Sequence, residues 1–536
     1  MSVSLIFTIL CAVAAVAATA NLRLELSRDL MMFQQNSYMA HRYRRWLAQS
    51  KDTTSMWRLA ALVILFISLS SFSNARGAVL LCGIFAVASA VSLGRRKYKK
   101  PLVWTARARR IYIVSVILVC AICALAAVLS GYSDFFGIEY VVLVALIGCY
   151  CGSHIIIIVA NFILHPVEKC ITAHYVNDAR RRLESMPDLK IVGITGSYGK
   201  TSTKHYLHRI LSEHFDTLMT PGSFNTTLGV VRTVREYLKP YNEVFIVEMG
   251  AKNPGDIKEI CDLVHPSVGI ITAVGPQHLE SFKTIERVRD TKFELADALP
   301  SSGTAIINDD FEQIAGRPVT NARCLRYGVR ADGCDYVAAD VTYSPDGTRF
   351  TVRCKDGWEL PLETRLMGEC NVSDILAAVV CARTLGVPDK KISAAVASIE
   401  PVEHRLSVKR TPGGITILDD AFNSNPVGSR MALEVLGAMP GGKRIVITPG
   451  MIELGAEQYE LNFSLGETIA RHADVAIVVG EYNREALKEG IMNDGNFSAG
   501  NLHLADSFAD AQRMLSGIVA AGDTVLYEND LPDTFK

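Results

Sequence analysis

Long apolar runs crowd the first 165 residues, and they constrain this chain more than any later motif. Five of them are apolar enough to cross a bilayer: residues 3–20, 57–72, 77–93, 111–130 and 138–164. A spanning helix needs about 20 such residues. The second and third runs sit at the short limit and would also suit a hairpin that does not fully cross. The first ends in "ATA" near Ala20, like a cleavage site, but has no basic residues before it, so it reads as an uncleaved helix.

Charge gives the runs a direction. Arg23, Arg28, Arg42, Arg44, Arg45 and Lys51 follow the first run. Arg95, Arg96, Lys97, Lys99, Lys100, Arg107, Arg109 and Arg110 follow the third. The loops "SNARG" and "GYSDFFG" are almost free of positive charge. Basic loops stay cytoplasmic, so the N-terminus faces out, five crossings follow, and everything after His165 is cytosolic. No run carries an Asp, Glu, Lys or Arg in its middle, which favours an anchor over an ion or substrate path. Lys+Arg and Asp+Glu both number 55, so net charge points to no nucleic-acid partner. The 13 cysteines have no paired spacing. Cys120 and Cys123 lie inside an apolar run and read as small packing residues, and the later cysteines suit a reducing cytosol.

From Lys190 the pattern alternates. Short β-branched runs ("KIVGIT", "EVFIVEMG", "SVGIITAVG", "GTAIIND") are separated by helical stretches, as in a parallel sheet covered on both faces. From Cys334 to Thr364 strands follow one another, with turns at "SPDGT" and "KDGW". A second alternation starts after "EPVEHR". The expected fold is therefore α/β: a helical membrane region over 1–165, a central P-loop-type parallel-sheet domain over 166–400, and a Rossmann-like α/β domain over 401–536.

The stretch "KIVGITGSYGKTSTKHYLHRIL" reads as strand, glycine-rich turn and helix. Backbone N–H groups of such a turn and the helix N-terminus behind it form an anion site. Gly196 and Gly199 let the backbone wrap phosphates, Lys200 reaches their oxygens, and Thr201 offers a hydroxyl to Mg²⁺. Ile194 stands where the strict pattern G-x-x-x-x-G-K-[ST] has its first glycine, so the loop is a variant, T-G-S-x-G-K-T-S.

That variant resembles the nucleotide loop of the Mur ligase family. The resemblance continues through "TPGSFNTTLGVVRTV", "IVEMGAKNPGDI", "HPSVGIITAVGPQHLESFKTIERVRDTKFEL", "INDD", "HRL", "ILDDAFNSNPVGS" and "TPGMIELG". It implies an ATP-dependent ligase of bacterial cell-wall synthesis. ATP would phosphorylate a carboxylate to an acyl phosphate, and an amine such as D-alanyl-D-alanine would attack it. Thr195, Gly196, Ser197, Gly199, Lys200, Thr201 and Ser202 would bind nucleotide. Glu248 and His278 would join Thr201 around Mg²⁺. Lys292 aligns with a lysine that family members carbamylate, which makes it an oxygen ligand. Taken alone, it reads as a surface helix lysine. Asn308 would lie beside the adenine, Arg405 would meet the phosphates, and Asp420 the ribose. Asn423 and Asn425 belong to the same loop, where an Asx-rich turn is the alternative. The place implied is the bacterial plasma membrane, with the catalytic domains in the cytoplasm and other envelope enzymes as possible partners.

The chain departs from the family in three respects. The apolar region occupies the place of the small domain that grips the uridine diphosphate of the substrate. The chain ends in "LYENDLPDTF", and Phe422 replaces the usual Tyr. These departures leave the carboxylate open, and a lipid-linked one is the alternative. A polyglutamate-type ligase, an ATP-driven transporter and a scaffolding pseudo-ligase are the other readings. The "EMGA…GDI" and "DDAFNSNP" blocks disfavour the first of these, the uncharged runs the second, and the intact Lys200, Thr201, Glu248, His278 and Lys292 the third.

Overall fold

The first apolar run does not stop at Ala20. In the computed structural model, helix α1 covers Val3–Gln35. The structure describes residues 3–530 except 51, 53, 54, 71–74, 97, 99, 131–136, 345, 346, 422, 423 and 494. No Gly or Pro interrupts α1, and Leu22, Leu26 and Leu30 repeat every fourth residue as a buried stripe. Arg23 and Arg28, expected in a loop, therefore lie on a helix. After it come α2 (Ala40–Gln49), α3 (Met56–Ser70), α4 (Ala75–Gly94), α5 (Ala106–Ser130), α6 (Ile138–Cys151) and α7 (Ser153–Glu184). Among the described residues, four segments are long and apolar enough to cross a membrane: Ile6–Gln35, Ala75–Gly94, Ala106–Ser130 and Ser153–Glu184. The helices α3 and α6 are shorter.

Two expectations change here. The fifth run, expected as one helix, breaks at Gly152. Its N–H closes α6 on the Gly148 carbonyl at 3.0 Å, and its own carbonyl accepts Ile156 N–H at 3.0 Å to open α7. Arg58 Nη1 donates to the Cys151 carbonyl at 3.1 Å, satisfying a helix-end acceptor. The second change concerns charge. With α1 extended, Glu25, Arg28 and Asp29 fall inside a candidate span and are packed in the bundle. Arg58 Nη2 donates to Glu25 Oε1 at 2.8 Å and to Asp29 Oδ1 at 3.0 Å. Arg28 pairs with Glu25 at 2.9 Å and with Asp52. Ser153 Oγ donates to Asp29 at 2.5 Å. The argument for a bare anchor from uncharged runs loses its premise.

Residues to Thr172 form one unit and Ala173–Asp530 the other. The second unit holds two sheets. The first contains β1 (Lys190–Thr195), β2 (Thr217–Met219), β3 (Val244–Glu248), β4 (Val268–Ile271), β5 (Thr304–Asn308), β6 (Arg323–Gly328), β7 (Tyr336–Ser344), β8 (Gly347–Cys354) and β9 (Glu359–Thr364). Their order is β2-β3-β1-β4-β5-β6-β7-β8-β9. The strands are parallel as far as β7, and β7-β8-β9 is an antiparallel meander. The strands β3, β4 and β5 are buried along their whole length, which explains their continuous apolar runs. In β9 burial alternates residue by residue, as in a sheet with one wet face.

The helices of this sheet are α8 (Lys200–Leu211), α9 (Thr227–Glu236), α10 (Asp256–Val264), α11 (Leu279–Phe282), α12 (Ile285–Asp297), α13 (Glu369–Thr384) and α14 (Asp389–Ala397). One apolar layer packs α8, α13 and α14 on the sheet, and another packs α9, α10 and α12. The second sheet contains β10 (Ser407–Arg410), β11 (Thr416–Asp420), β12 (Arg444–Thr448), β13 (Val475–Val479), β14 (Leu502–Ala505) and β15 (Thr524–Glu528). Its order is β10-β11-β15-β12-β13-β14, with only β10 antiparallel. It carries α15 (Pro426–Ala438), α16 (Gln458–His472), α17 (Arg484–Met492) and α18 (Phe508–Ile518). Both sheets are the α/β type that the sequence predicts.

Candidate functional site

Strand β1 lies where the strand order reverses, and ligands of open α/β sheets bind beyond the strand ends at such a point. The turn after β1 is held close to its neighbours. Ser197 N–H donates to the Ala273 carbonyl at 2.7 Å, and Ser197 Oγ to the Gly275 carbonyl at 3.2 Å. Thr195 Oγ1 donates to the Met249 carbonyl at 3.0 Å. Only glycine fits at two positions. Gly196 has φ 154°, and a Cβ there would come within 2.1 Å of Thr272 Oγ1. Gly199 has φ 76°, and a Cβ there would come within 2.3 Å of Asp374 Oδ1. The turn therefore presents bare backbone N–H groups and the N-terminus of α8.

Lys200 opens α8 and folds back, its Nζ donating to the carbonyls of Gly196 at 2.6 Å and Ser197 at 3.1 Å. Burial lowers its pKa to about 8. Phosphate oxygens are stronger partners for an ammonium than carbonyls are. One residue on, Thr201 Oγ1 donates to Glu248 Oε1 at 3.3 Å, and Asn225 Nδ2 donates to the same oxygen at 3.1 Å. Lys204 Nζ stands 3.0 Å from Glu248 Oε2 and donates to the Gly222 carbonyl at 2.6 Å. Burial opposes the charge on Glu248, but Lys204 and Lys200 prevail and hold it below the ordinary carboxylate range. Glu248 Oε2 is nonetheless buried without an aligned hydrogen bond. A hydroxyl and a carboxylate, one oxygen of which is held by an ammonium and not by an aligned hydrogen bond, form a hard-oxygen donor set, which fits Mg²⁺.

Lys292 corrects an expectation. Read alone it was a surface lysine, but it lies on the buried face of α12 with 2% exposure. Burial, and then the nearby charge of Lys200, lowers its pKa to about 7. His278 precedes α11 with φ 55°, and its Nδ1 meets the carboxylate of Glu453. Burial lowers the His278 pKa, and Glu453 partly opposes that shift. Ser202 is buried in the first turn of α8, next to Asp374.

The remaining expected residues divide. Arg405 lies between His404 (φ 58°) and Leu406 (φ 48°). Burial lowers its pKa, while Asp420, Glu248 and Asp374 pull it back up, so its guanidinium lies among the groups around the loop. Asp420 Oδ1 accepts Leu406 N–H at 3.0 Å, and burial raises its pKa to about 7. Asn308 is fully engaged by protein. It donates to the Thr272 carbonyl at 2.8 Å and Ser373 Oγ at 3.1 Å, and accepts Asp310 N–H at 3.0 Å. Asn425 caps α15 by accepting Gly428 N–H at 2.8 Å. This is the Asx alternative weighed for its loop. Asn423 and Phe422 lie outside the described residues.

Three residues escaped the sequence reading. Lys204 lies one helical turn after Lys200, a spacing that places both on one face. Asp374 is a lone acid ahead of the apolar run Ile375–Cys381, where burial raises its pKa to about 8. It accepts Thr203 Oγ1 at 3.0 Å. Glu453 lies in the quoted block "TPGMIELG", but nothing in that block pairs it with His278.

A parallel sheet with a phosphate loop at its reversal point, followed by a second α/β sheet, defines a P-loop-type nucleotide-binding protein with an appended Rossmann-like domain. The chain belongs to the Mur ligase family. Residues 194–382 match the Mur ligase middle domain, and residues 404–527 match the Mur ligase, glutamate ligase domain. The chain is 32% identical over 349 residues to the UDP-N-acetylmuramoyl-tripeptide--D-alanyl-D-alanine ligase of Mycobacterium bovis, covering 63% of this chain and 67% of that protein. The Escherichia coli ligase of the same name is 31% identical over 295 residues, covering 54% and 65%. The chain thus spans about two thirds of the length of these relatives. Among solved structures, MurF ligase from Thermotoga maritima in complex with ADP aligns with TM-score 0.59 and 28% identity, over 67% of this chain and 80% of that one. MurF from Acinetobacter baumannii aligns with TM-score 0.61 and 25% identity, over 67% and 77%.

Proposed function

We propose that the protein is a membrane-anchored, ATP-dependent ligase that joins a carboxylate to an amine in peptidoglycan precursor synthesis. Residues 1–165 are its membrane region, 166–400 its ATP-binding domain and 401–536 its closing domain. The observation that carries the reading is the set of Lys200, Thr201 and Glu248 gathered at one strand edge, with Lys292 bearing electrostatically on Lys200. The carboxylate is of the UDP-muramoyl-tripeptide type and the amine is D-alanyl-D-alanine, as in the names of the relatives.

Phosphoryl transfer is mainly positioning and charge neutralisation. The loop N–H groups and the start of α8 cradle the phosphates, and Lys200 leaves its two carbonyls for their oxygens. Thr201, Glu248, His278 and a carbamylated Lys292 would hold Mg²⁺, which would neutralise developing negative charge. Carbamylation needs the free amine, and a lysine with a pKa near 7 has it in quantity at neutral pH. Arg405 approaches the transferred phosphate from the closing domain, and Asp420 braces the segment that carries it. Closure excludes water, which protects an acyl phosphate from hydrolysis.

A lipid-linked carboxylate is the second reading. It is favoured by α7, which starts as a candidate span and ends at Glu184, leaving only residues 185–189 before β1. The test is phosphate release by detergent-purified full-length protein with Mg-ATP, adding UDP-muramoyl-tripeptide and D-alanyl-D-alanine singly and together. Release with a pentapeptide product only when both are present supports the first reading. ATP binding without that product moves the search to lipid-linked carboxylates. No Mg-ATP binding at all rejects the ligase.

A further inference from the structure

Glu453 follows β12 of the second sheet, but it is held by two loops of the first. Its carboxylate meets His278 Nδ1 and lies 3.7 Å from Lys252 Nζ. Its carbonyl accepts Glu280 N–H at 3.3 Å. Two residues on, Gly455 presses on the backbone of Leu279 and Glu280, where a Cβ would come within 3.2 Å. Both partners have left-handed backbone. His278 has φ 55°, which histidine adopts more readily than most residues, and Glu453 has φ 63°, which a glutamate seldom adopts. Strain of this kind persists only where the surroundings enforce it, and it gathers at functional sites.

The contact has a chemical consequence. An ionised carboxylate only accepts, so the hydrogen of this contact sits on Nδ1 of His278, and in the neutral ring Nε2 then holds the free lone pair. A histidine fixed in this way by a second carboxylate is the usual arrangement around a metal-binding imidazole. The carboxylate comes from one domain and the imidazole from the other, so the tautomer is set only when the two loops meet.

We propose that Glu453 is the positioning residue of His278, fixing its Nδ1–H tautomer and thereby coupling closure of the two domains to assembly of the divalent-cation site. The metal-binding half of this rests on the reading under Proposed function, but the tautomer does not.

The test uses full-length protein in detergent. Histidine-selective ¹⁵N labelling reads the tautomer, with His278→Gln assigning the signal and Glu453→Leu, which has no acceptor, as the probe. Nδ1–H in the native protein, and its loss in Glu453→Leu, is the expected result. An Nε2–H tautomer in the native protein, or an unchanged Nδ1–H in Glu453→Leu, overturns the proposal whatever the metal does. Calorimetric ATP binding is then titrated with Mg²⁺. Glu453→Leu should raise the Mg²⁺ needed by about 10-fold or more, the usual effect of losing such a partner. Unchanged Mg²⁺ dependence, or an equal loss of metal-free ATP binding, overturns the coupling. A native protein that binds ATP without regard to Mg²⁺ rejects the ligase reading, and the tautomer result then stands by itself.

Discussion

Lys204 and Glu248 form an ion pair, Nζ to Oε2 at 3.0 Å, with the two side chains 0% and 2% exposed. Burying two charges is tolerable only because each compensates the other. Lys204→Met takes the paired ammonium from the buried carboxylate, leaving it Thr201, Asn225 and the more distant charge of Lys200, and should destabilise the protein by about 3 kcal/mol. Adding Glu248→Gln to that variant should recover part of the loss. Thermal unfolding of the single and double variants measures both. A single variant as stable as the native protein would mean the pair is dispensable.

Lys200→Ala should remove the cation proposed to face the transferred phosphate. We expect ATP-dependent turnover to fall by at least about 100-fold, the scale of losing a preorganised electrostatic donor. The fold should survive, because among the described residues Lys200 Nζ hydrogen-bonds to carbonyls of its own loop, Gly196 and Ser197. Phosphate-release kinetics alongside a melting curve separate the two effects.

Asp374 gives the protein a pH-dependent stability. Its pKa rises from 3.8 to about 8 in the folded state because it is buried. Between those values the folded state holds a proton that the unfolded state has lost, so stability falls as pH rises from about 4 to about 8 and then levels. Asp374→Asn removes this term. Its melting temperature should gain on the native protein steadily between pH 5 and pH 8.5. Parallel curves would refute the assignment.

Lys292 should respond to carbon dioxide. Its pKa near 7 leaves the amine increasingly free above neutrality. Incubation at mildly acidic pH in CO₂-free buffer should reduce activity, and bicarbonate at higher pH should restore it. Lys292→Arg cannot form a carbamate and should be inactive under both conditions. ¹³C-bicarbonate NMR would detect the carbamate directly.

Arg58 holds the helical unit together. Arg58→Ala would leave Glu25 and Asp29 without their shared partner and should cost that unit about 3–5 kcal/mol. ATP binding should be preserved. Loss of detergent-resistant folding with unchanged nucleotide affinity in the protein that remains folded is the expected pattern.

The parts of the fold and site that were legible share a property: their chemistry is local in sequence. The strand, turn and helix around Lys200 announce themselves within 22 residues, and the buried strands read as continuous apolar runs. What was missed depends on distance. Glu453 and His278 are 175 positions apart, and no periodicity links them. Lys292 looked exposed because a lone lysine on an amphipathic helix usually is, and only tertiary packing buried it. Asn425 looked like a ligand because it belongs to a motif, yet its oxygen is spent on capping α15. In the apolar region, hydropathy located the runs but not the helices. Leucines carry α1 well past the last uninterrupted apolar stretch, and one glycine divides what hydropathy reads as a single span.

The place of Arg58 also bears on how the chain is made. It lies in the first turn of α3, a helix of only 15 residues. If residues 1–165 are the proposed membrane region, a short segment that brings a guanidinium with it would be a poor candidate to leave the translocation machinery unaided. Its acceptors, Glu25 and Asp29, are on α1, which is synthesised earlier, while the Cys151 carbonyl and Ser153 arrive last. Assembly of the network would then follow the order of synthesis: the first helix waits for the third, and the set closes only when the chain at Cys151–Ser153 emerges.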